Sequence, residues 1–96
     1  MMSKTREIIT VFVIECESVI YVKGKESRYK EILGAYTEMH EAEAALQEIL
    51  ENKYGWNLMR FSVHYHDNYK KAFVKESDGD HYVYTIKEGE LSMKDS

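Results

Sequence analysis

Proline is absent from the chain, and its 96 residues contain one cysteine, one tryptophan and five glycines. Without proline, the backbone N–H groups all remain available to helix or sheet ladders. A lone Cys16 excludes an internal disulfide and suits a reducing compartment. Long apolar runs are also missing. The longest, Ile8 to Ile14, contains Thr10 and falls far short of the ~20 residues of a membrane-spanning helix. Glu15, Cys16 and Glu17 follow it, and not a small-residue cleavage site, so a cytosolic protein without a membrane segment is expected. No Ser-His-Asp arrangement, phosphate loop, dinucleotide fingerprint or paired-carboxylate motif is recognisable. No catalytic residue and no cofactor are therefore expected.

What is present is ordinary for a globular chain. Apolar residues make up 44% and charged residues 31%, enough to build a core and inconsistent with disorder. The length is that of a single domain spanning residues 1–96. Eight tyrosines and three phenylalanines favour strands. The net charge of −4 argues against bulk electrostatic attraction to nucleic acid but leaves room for a local basic patch.

Residues 1–6 read as a loose polar lead-in. From Glu7 the chain is β-branched, with Ile8, Thr10, Phe12, Ile14 and Cys16 on one face and Ile9, Val11 and Val13 on the other. Such a strand belongs at the centre of a sheet, covered on both sides. Val19 to Lys23 either continues it past Glu17-Ser18 or returns as a hairpin, and the sequence leaves both open. Gly24-Lys25-Glu26-Ser27 is turn chemistry. Arg28 to Tyr36 then alternates, with Tyr29, Leu33 and Ala35 facing one way and Lys30, Ile32 and Tyr36 the other. Thr37 as N-cap, Glu38 and Glu41 in the first turn, and Gly55 after Lys53 bracket a helix over 38–53. Met39, Ala42, Leu46, Ile49, Leu50 and Lys53 form its stripe. Trp56 to His66 reads as a strand with Met59, Phe61, Val63 and Tyr65 on one face. Tyr69–Lys75 and His81–Lys87 flank Ser77-Asp78-Gly79-Asp80, a hairpin signal. The tail from Gly89 to Ser96 reads as loosely ordered.

The expected fold is α+β. An antiparallel sheet of five or six strands carries one helix on one face, in the order β-β-β-α-β-β-β, or with one strand fewer if 8–23 is continuous. One helix covers one face, and the first strand is apolar on both. A homodimer that buries the second face is therefore expected.

Glu31-Ile-Leu-Gly-Ala-Tyr-Thr37, followed by a Glu/Ala-rich helix to Leu50, resembles a strand-to-helix unit of small bacterial and bacteriophage proteins. It covers about a fifth of the chain. The resemblance implies an accessory protein of a bacterium or its phage, and it carries no catalytic residues.

Five candidate sites remain. His64 and His66 share one strand face, where Asp67 or His81 could complete a metal site. No Cys cluster or HExxH pattern accompanies them, so two unrelated histidines on a half-exposed face is the stronger reading and no metal is expected. Cys16, set between two glutamates on the most apolar strand, reads as packed and inert. Asp78-Gly79-Asp80 lacks the ligand ladder of a calcium loop and reads as a turn. Tyr69, Lys70, Lys71, Phe73 and Lys75, with Tyr82 and Tyr84, interleave cations with aromatic rings as a single-stranded nucleic-acid platform does. The plain alternative is a hairpin whose rings face the core while its lysines blunt an edge.

The helix supplies the remaining candidate. Glu38, Glu41, Glu43, Glu48 and Glu51 lie on it with no Lys or Arg between Thr37 and Asn52. This acidic face can dock on a basic surface of another protein, or it can simply keep the helix solvated. The leading expectation is a non-enzymatic protein-binding accessory protein, in its sharpest form a phage- or mobile-element-type inhibitor. A nucleic-acid or nucleotide binder using the C-terminal hairpin comes second, and a small metal-dependent enzyme at His64 and His66 a distant third.

Overall fold

The computed structural model describes residues 7–55 and 59–93. Residues 1–6, expected as a polar lead-in, the expected strand start at Trp56 and residues 94–96 lie outside the described residues. The elements are β1 (Glu7–Val22), β2 (Lys25–Tyr36), α1 (Met39–Tyr54), β3 (Phe61–His66), β4 (Lys71–Glu76) and β5 (His81–Met93). They form one five-stranded sheet ordered β2-β1-β5-β4-β3, antiparallel throughout. One helix on an antiparallel sheet is the α+β class expected. Two strands, not three, precede the helix, because 8–22 is continuous.

β1 does not break at Glu17-Ser18, since both residues stay in register with β2 and β5. The chain reverses at Lys23-Gly24, one step earlier than its composition suggests. Both residues have positive φ, 52° and 78°, which is the two-residue type I′ turn matched to strand twist. Lys25, Glu26 and Ser27 consequently belong to β2. A bulge then resets the alternation: Ile14 pairs with Gly34 and Glu15 with Ile32, leaving Leu33 extra. Leu33 and Tyr36, assigned to opposite faces by strict alternation, both pack on the helix-side core.

α1 begins one residue late. Glu38, not Thr37, occupies the N-cap position and makes no side-chain cap bond. At the far end the Gly55 N–H donates to the Glu51 carbonyl at 2.9 Å. The stripe runs Ala42, Leu46, Leu50 and Tyr54, all buried, with Met39 and Ile49 packed beside it and Lys53 exposed. These side chains meet Ile14 and Cys16 of β1, Ala72 and Val74 of β4, and Tyr84 and Ile86 of β5. Phe61, Val63 and Tyr65 of β3 join them as expected. Met59 precedes β3 and is 98% exposed, so it does not.

β5 runs to Met93, so the segment from Gly89 that reads as a loose tail is strand as far as that residue, paired with β1 from Val11 back to Glu7. That pairing extends the molecule to 63 × 29 × 20 Å. Its radius of gyration is 17.1 Å, against about 12.5 Å for a compact domain of this length.

Candidate functional site

Period-two alternation sorts the strand residues onto two sides. The helix covers one, and no second helix or sheet among the described residues covers the other. The open side carries Val11, Val13, Glu15, Glu17, Val19 and Tyr21 from β1, and Glu26, Arg28, Lys30 and Ile32 from β2. From the other three strands come His81, Val83, Thr85 and Lys87, then Lys71, Phe73 and Lys75, then His64 and His66.

This open face is not the bare apolar surface that the first strand suggests. Glu15 binds Lys87 at 3.0 Å and Lys30 at 3.7 Å, across strands on both sides. Arg28 reaches Glu26 at 3.0 Å and Glu17 at 3.7 Å. The hydrogen bond from Lys87 holds the Glu15 carboxyl below its ordinary range, and the bond from Arg28 does the same for Glu26. Val19, flanked in the sheet by Arg28 and His81, is only 1% exposed. Long charged side chains cover apolar surface with their stems while their heads stay in water. The chain thus buries part of its second face with its own charged side chains.

The basic-aromatic hairpin divides. Tyr84 is 1% exposed in the core, and the half-buried Tyr82 packs against that core on the helix side, so neither ring shares a face with Lys71 and Lys75. Tyr69 and Lys70 fall in the β3–β4 turn, where Asp67, Asn68 and Tyr69 all have positive φ. Lys71, Phe73 and Lys75 remain together on the open face. Phe73 stacks on His81 with centroids 5.4 Å apart, and Tyr21 lies 6.3 Å beyond His81. Linear reading missed the contribution of Tyr21 and His81, because only strand order places β1 beside β5.

His64 and His66 are exposed on edge strand β3, with β4 standing between them and His81. Among the described residues, the one set of three acid, His or Cys side chains with ligand atoms within 4.8 Å of one another is Glu76, Asp78 and Asp80. Each of the three already has a partner. Glu76 binds Arg60, Asp78 accepts the Asp80 N–H at 3.1 Å, and Asp80 accepts the Tyr21 N–H at 2.9 Å. The last bond clips the β4–β5 turn to β1 where β1 has run past its β5 partner. Cys16 is buried, and the flanking Glu15 and Glu17 point to the opposite face.

The helix-bearing side is acidic. Glu38 at the N-cap and Glu41, Glu48 and Glu51 on α1 are exposed, and Glu31, Glu88 and Glu90 extend the same sign along the strands. Among the described residues, none of these is paired with Lys or Arg; Glu38 meets His40 at 3.2 Å. No described helix is long and apolar enough to cross a membrane. Comparison with protein-family models, curated proteins and solved structures finds no match, so the functional reading rests on this geometry alone.

Proposed function

We propose that the chain is a non-enzymatic binding protein that occupies a basic surface of another protein through the exposed side of α1. The supporting observation is an asymmetry in pairing. The open-face carboxylates Glu15, Glu17 and Glu26 have cation partners, whereas Glu41, Glu48 and Glu51 on the helix have none among the described residues. Unneutralised charge of one sign keeps its field available for steering a partner, speeding association and rejecting surfaces of the same sign. The sharpest form of the reading is a phage- or mobile-element-type inhibitor that blocks a surface normally used for an acidic ligand. It works in the cytosol, where a lone buried thiol stays reduced.

The reading includes a homodimer. β1 from Glu7 to Val11 pairs only with β5, leaving a two-stranded ribbon with a free edge and Ile8 63% exposed. Light scattering returning the 11.3 kDa of one chain would remove that part.

The main reading is tested with two baits on bacterial lysate, wild type and Glu41→Lys/Glu48→Lys. Exposed substitutions usually shift stability by only about 0.5 kcal/mol, so both should melt alike. The wild type should retain a partner at ~0.05 M salt and release it by ~0.5 M, as screening shortens the reach of exposed charge. The reversed bait should not retain it. Capture of the same proteins by both baits with the same salt dependence refutes the reading.

A further inference from the structure

The open face of the sheet lies opposite the acidic helix, and its charge has the other sign. Its cations are Arg28, Lys30, Lys71, Lys75 and Lys87, against the three carboxylates of Glu15, Glu17 and Glu26. All three carboxylates are on β1 and β2, tied to Arg28, Lys30 and Lys87. The open-face residues of β3, β4 and β5 include no acid: His64, His66, Lys71, Phe73, Lys75, His81, Val83 and Thr85 stand there beside Lys87. The acids of the neighbouring turns are Asp67, Asp78 and Asp80, of which Asp80 is engaged by the Tyr21 backbone. Lys71 and Lys75 are exposed and make no ion pair among the described residues.

We infer that this quarter of the open face, centred on Lys71-Ala72-Phe73-Val74-Lys75, is a docking surface for single-stranded nucleic acid. Three features carry the inference. Alternation puts an ammonium, an aromatic ring and a second ammonium on one face at steps of two residues, about 6.6 Å each. A base laid against the Phe73–His81 stack therefore has a lysine on either side for its flanking phosphates. Lysines without ion-pair partners exchange only solvent and counterions when a phosphate arrives, whereas Lys30 and Lys87 must first give up Glu15. The face is broad, and the half-open depression of about 210 Å³ that Lys71 shares with Lys87, Lys30, Glu15 and Glu17 leaves Phe73 and Lys75 outside it on the open sheet surface, a shape suited to an extended polymer. An aromatic platform in a cationic sheet face is the general chemistry of sequence-tolerant single-strand binding. The inference is independent of the protein-binding reading above, because it uses the opposite side of the sheet.

The test is fluorescence anisotropy of a labelled thymidine oligonucleotide and a labelled uridine oligonucleotide against the full chain. Saturable binding in the micromolar range is expected at ~50 mM salt, where weak, sequence-independent electrostatic binding falls. Two phosphates neutralised on a single strand give a log–log salt slope of about −1.4, or roughly a sevenfold loss over a fourfold rise in salt. Lys71→Glu/Lys75→Glu should abolish the signal with the melting temperature kept. Phe73→Leu should weaken binding by roughly 5- to 150-fold with the salt slope unchanged, the loss of one stacked base. Glu17→Gln should tighten binding, and Glu41→Lys/Glu48→Lys on the far side should leave it the same within about twofold. No saturable signal at ~100 μM protein overturns the inference, as does a Lys71/Lys75 reversal that binds like wild type. Equal affinity for a duplex of the same length, with Phe73→Leu silent, overturns it as well, since a bare cationic patch needs no unpaired bases. Tighter binding of a polyglutamate peptide than of either oligonucleotide would assign the face to an acidic protein and overturn it too.

Discussion

The Tyr54 and Tyr84 hydroxyls meet at 2.6 Å, one on the last turn of α1 and the other on the central strand β5. Their residues are 2% and 1% exposed, so water cannot replace either partner. Tyr84→Phe keeps the ring but leaves the Tyr54 hydroxyl buried and unpaired, at a cost of ~1–3 kcal/mol; Tyr54→Phe costs less, because the Cys16 side chain still stands beside the Tyr84 hydroxyl. The double variant removes both polar atoms, leaves no orphan, and keeps the edge-on packing of residue 54 against Phe61 at 4.8 Å. It should therefore be no less stable than the worse single variant, with a coupling of ~1–2 kcal/mol. Urea unfolding followed by circular dichroism measures all four corners of the cycle. For a domain of this size each ~1 kcal/mol also moves the melting temperature by ~4–8 °C. Single-variant losses that simply add in the double variant would refute the reasoning, because they would show two hydroxyls acting separately.

Leu46 is wholly buried at the centre of the helix stripe, so Leu46→Ala should cost ~2–5 kcal/mol, and an unchanged melting temperature would show that α1 is not packed there. Burial pushes the Tyr82 phenol up to about 12 and raises Tyr84 as well, while both ionise near ~10 in an unfolded chain. Their contribution is therefore complete below pH ~10 and is lost as pH rises towards 12. The melting temperature should fall across that window, and less steeply in Tyr82→Phe; equal slopes would exclude Tyr82 as a source.

The helix was legible because its signal is local: Ala42, Leu46 and Leu50 repeat within a few residues, and burial follows the repeat. The β4–β5 hairpin was legible for the same reason, with Gly79 at φ 106° in its turn. Two local features misled. Lys23 takes the left-handed conformation that composition assigns to glycine or asparagine, and one extra residue at Leu33 reverses every facing after it. The candidate site was less legible still, because its members come together through strand order. Val19 meets His81 across a pairing of residues more than sixty positions apart. Tyr82 and Tyr84 look like partners of Lys71 and Lys75 in the linear sequence, yet the pleat sends them to the opposite side. Net charge misled most, since −4 is the sum of an acidic side and a cationic one.

The separation of these two sides has a physical consequence. The helix and sheet layers are about 10 Å apart, as packed layers are generally, and the helix carboxylates lie on the outer surface of α1. The charges on both sides are exposed to solvent and separated by the full thickness of helix and sheet, more than the ~8 Å Debye length at physiological salt, so they interact only weakly through the surrounding electrolyte. A ligand approaching the open face therefore meets Lys71 and Lys75 and the ion pairs around Glu15, while the acidic side has little reach around the protein through the salt solution. A basic protein surface approaching α1 meets Glu41, Glu48 and Glu51 with equally little interference from the lysines behind them. Reversing charge on one side should consequently change binding on that side alone. The helix and strand reversals thus distinguish a protein with one working surface from a protein with two.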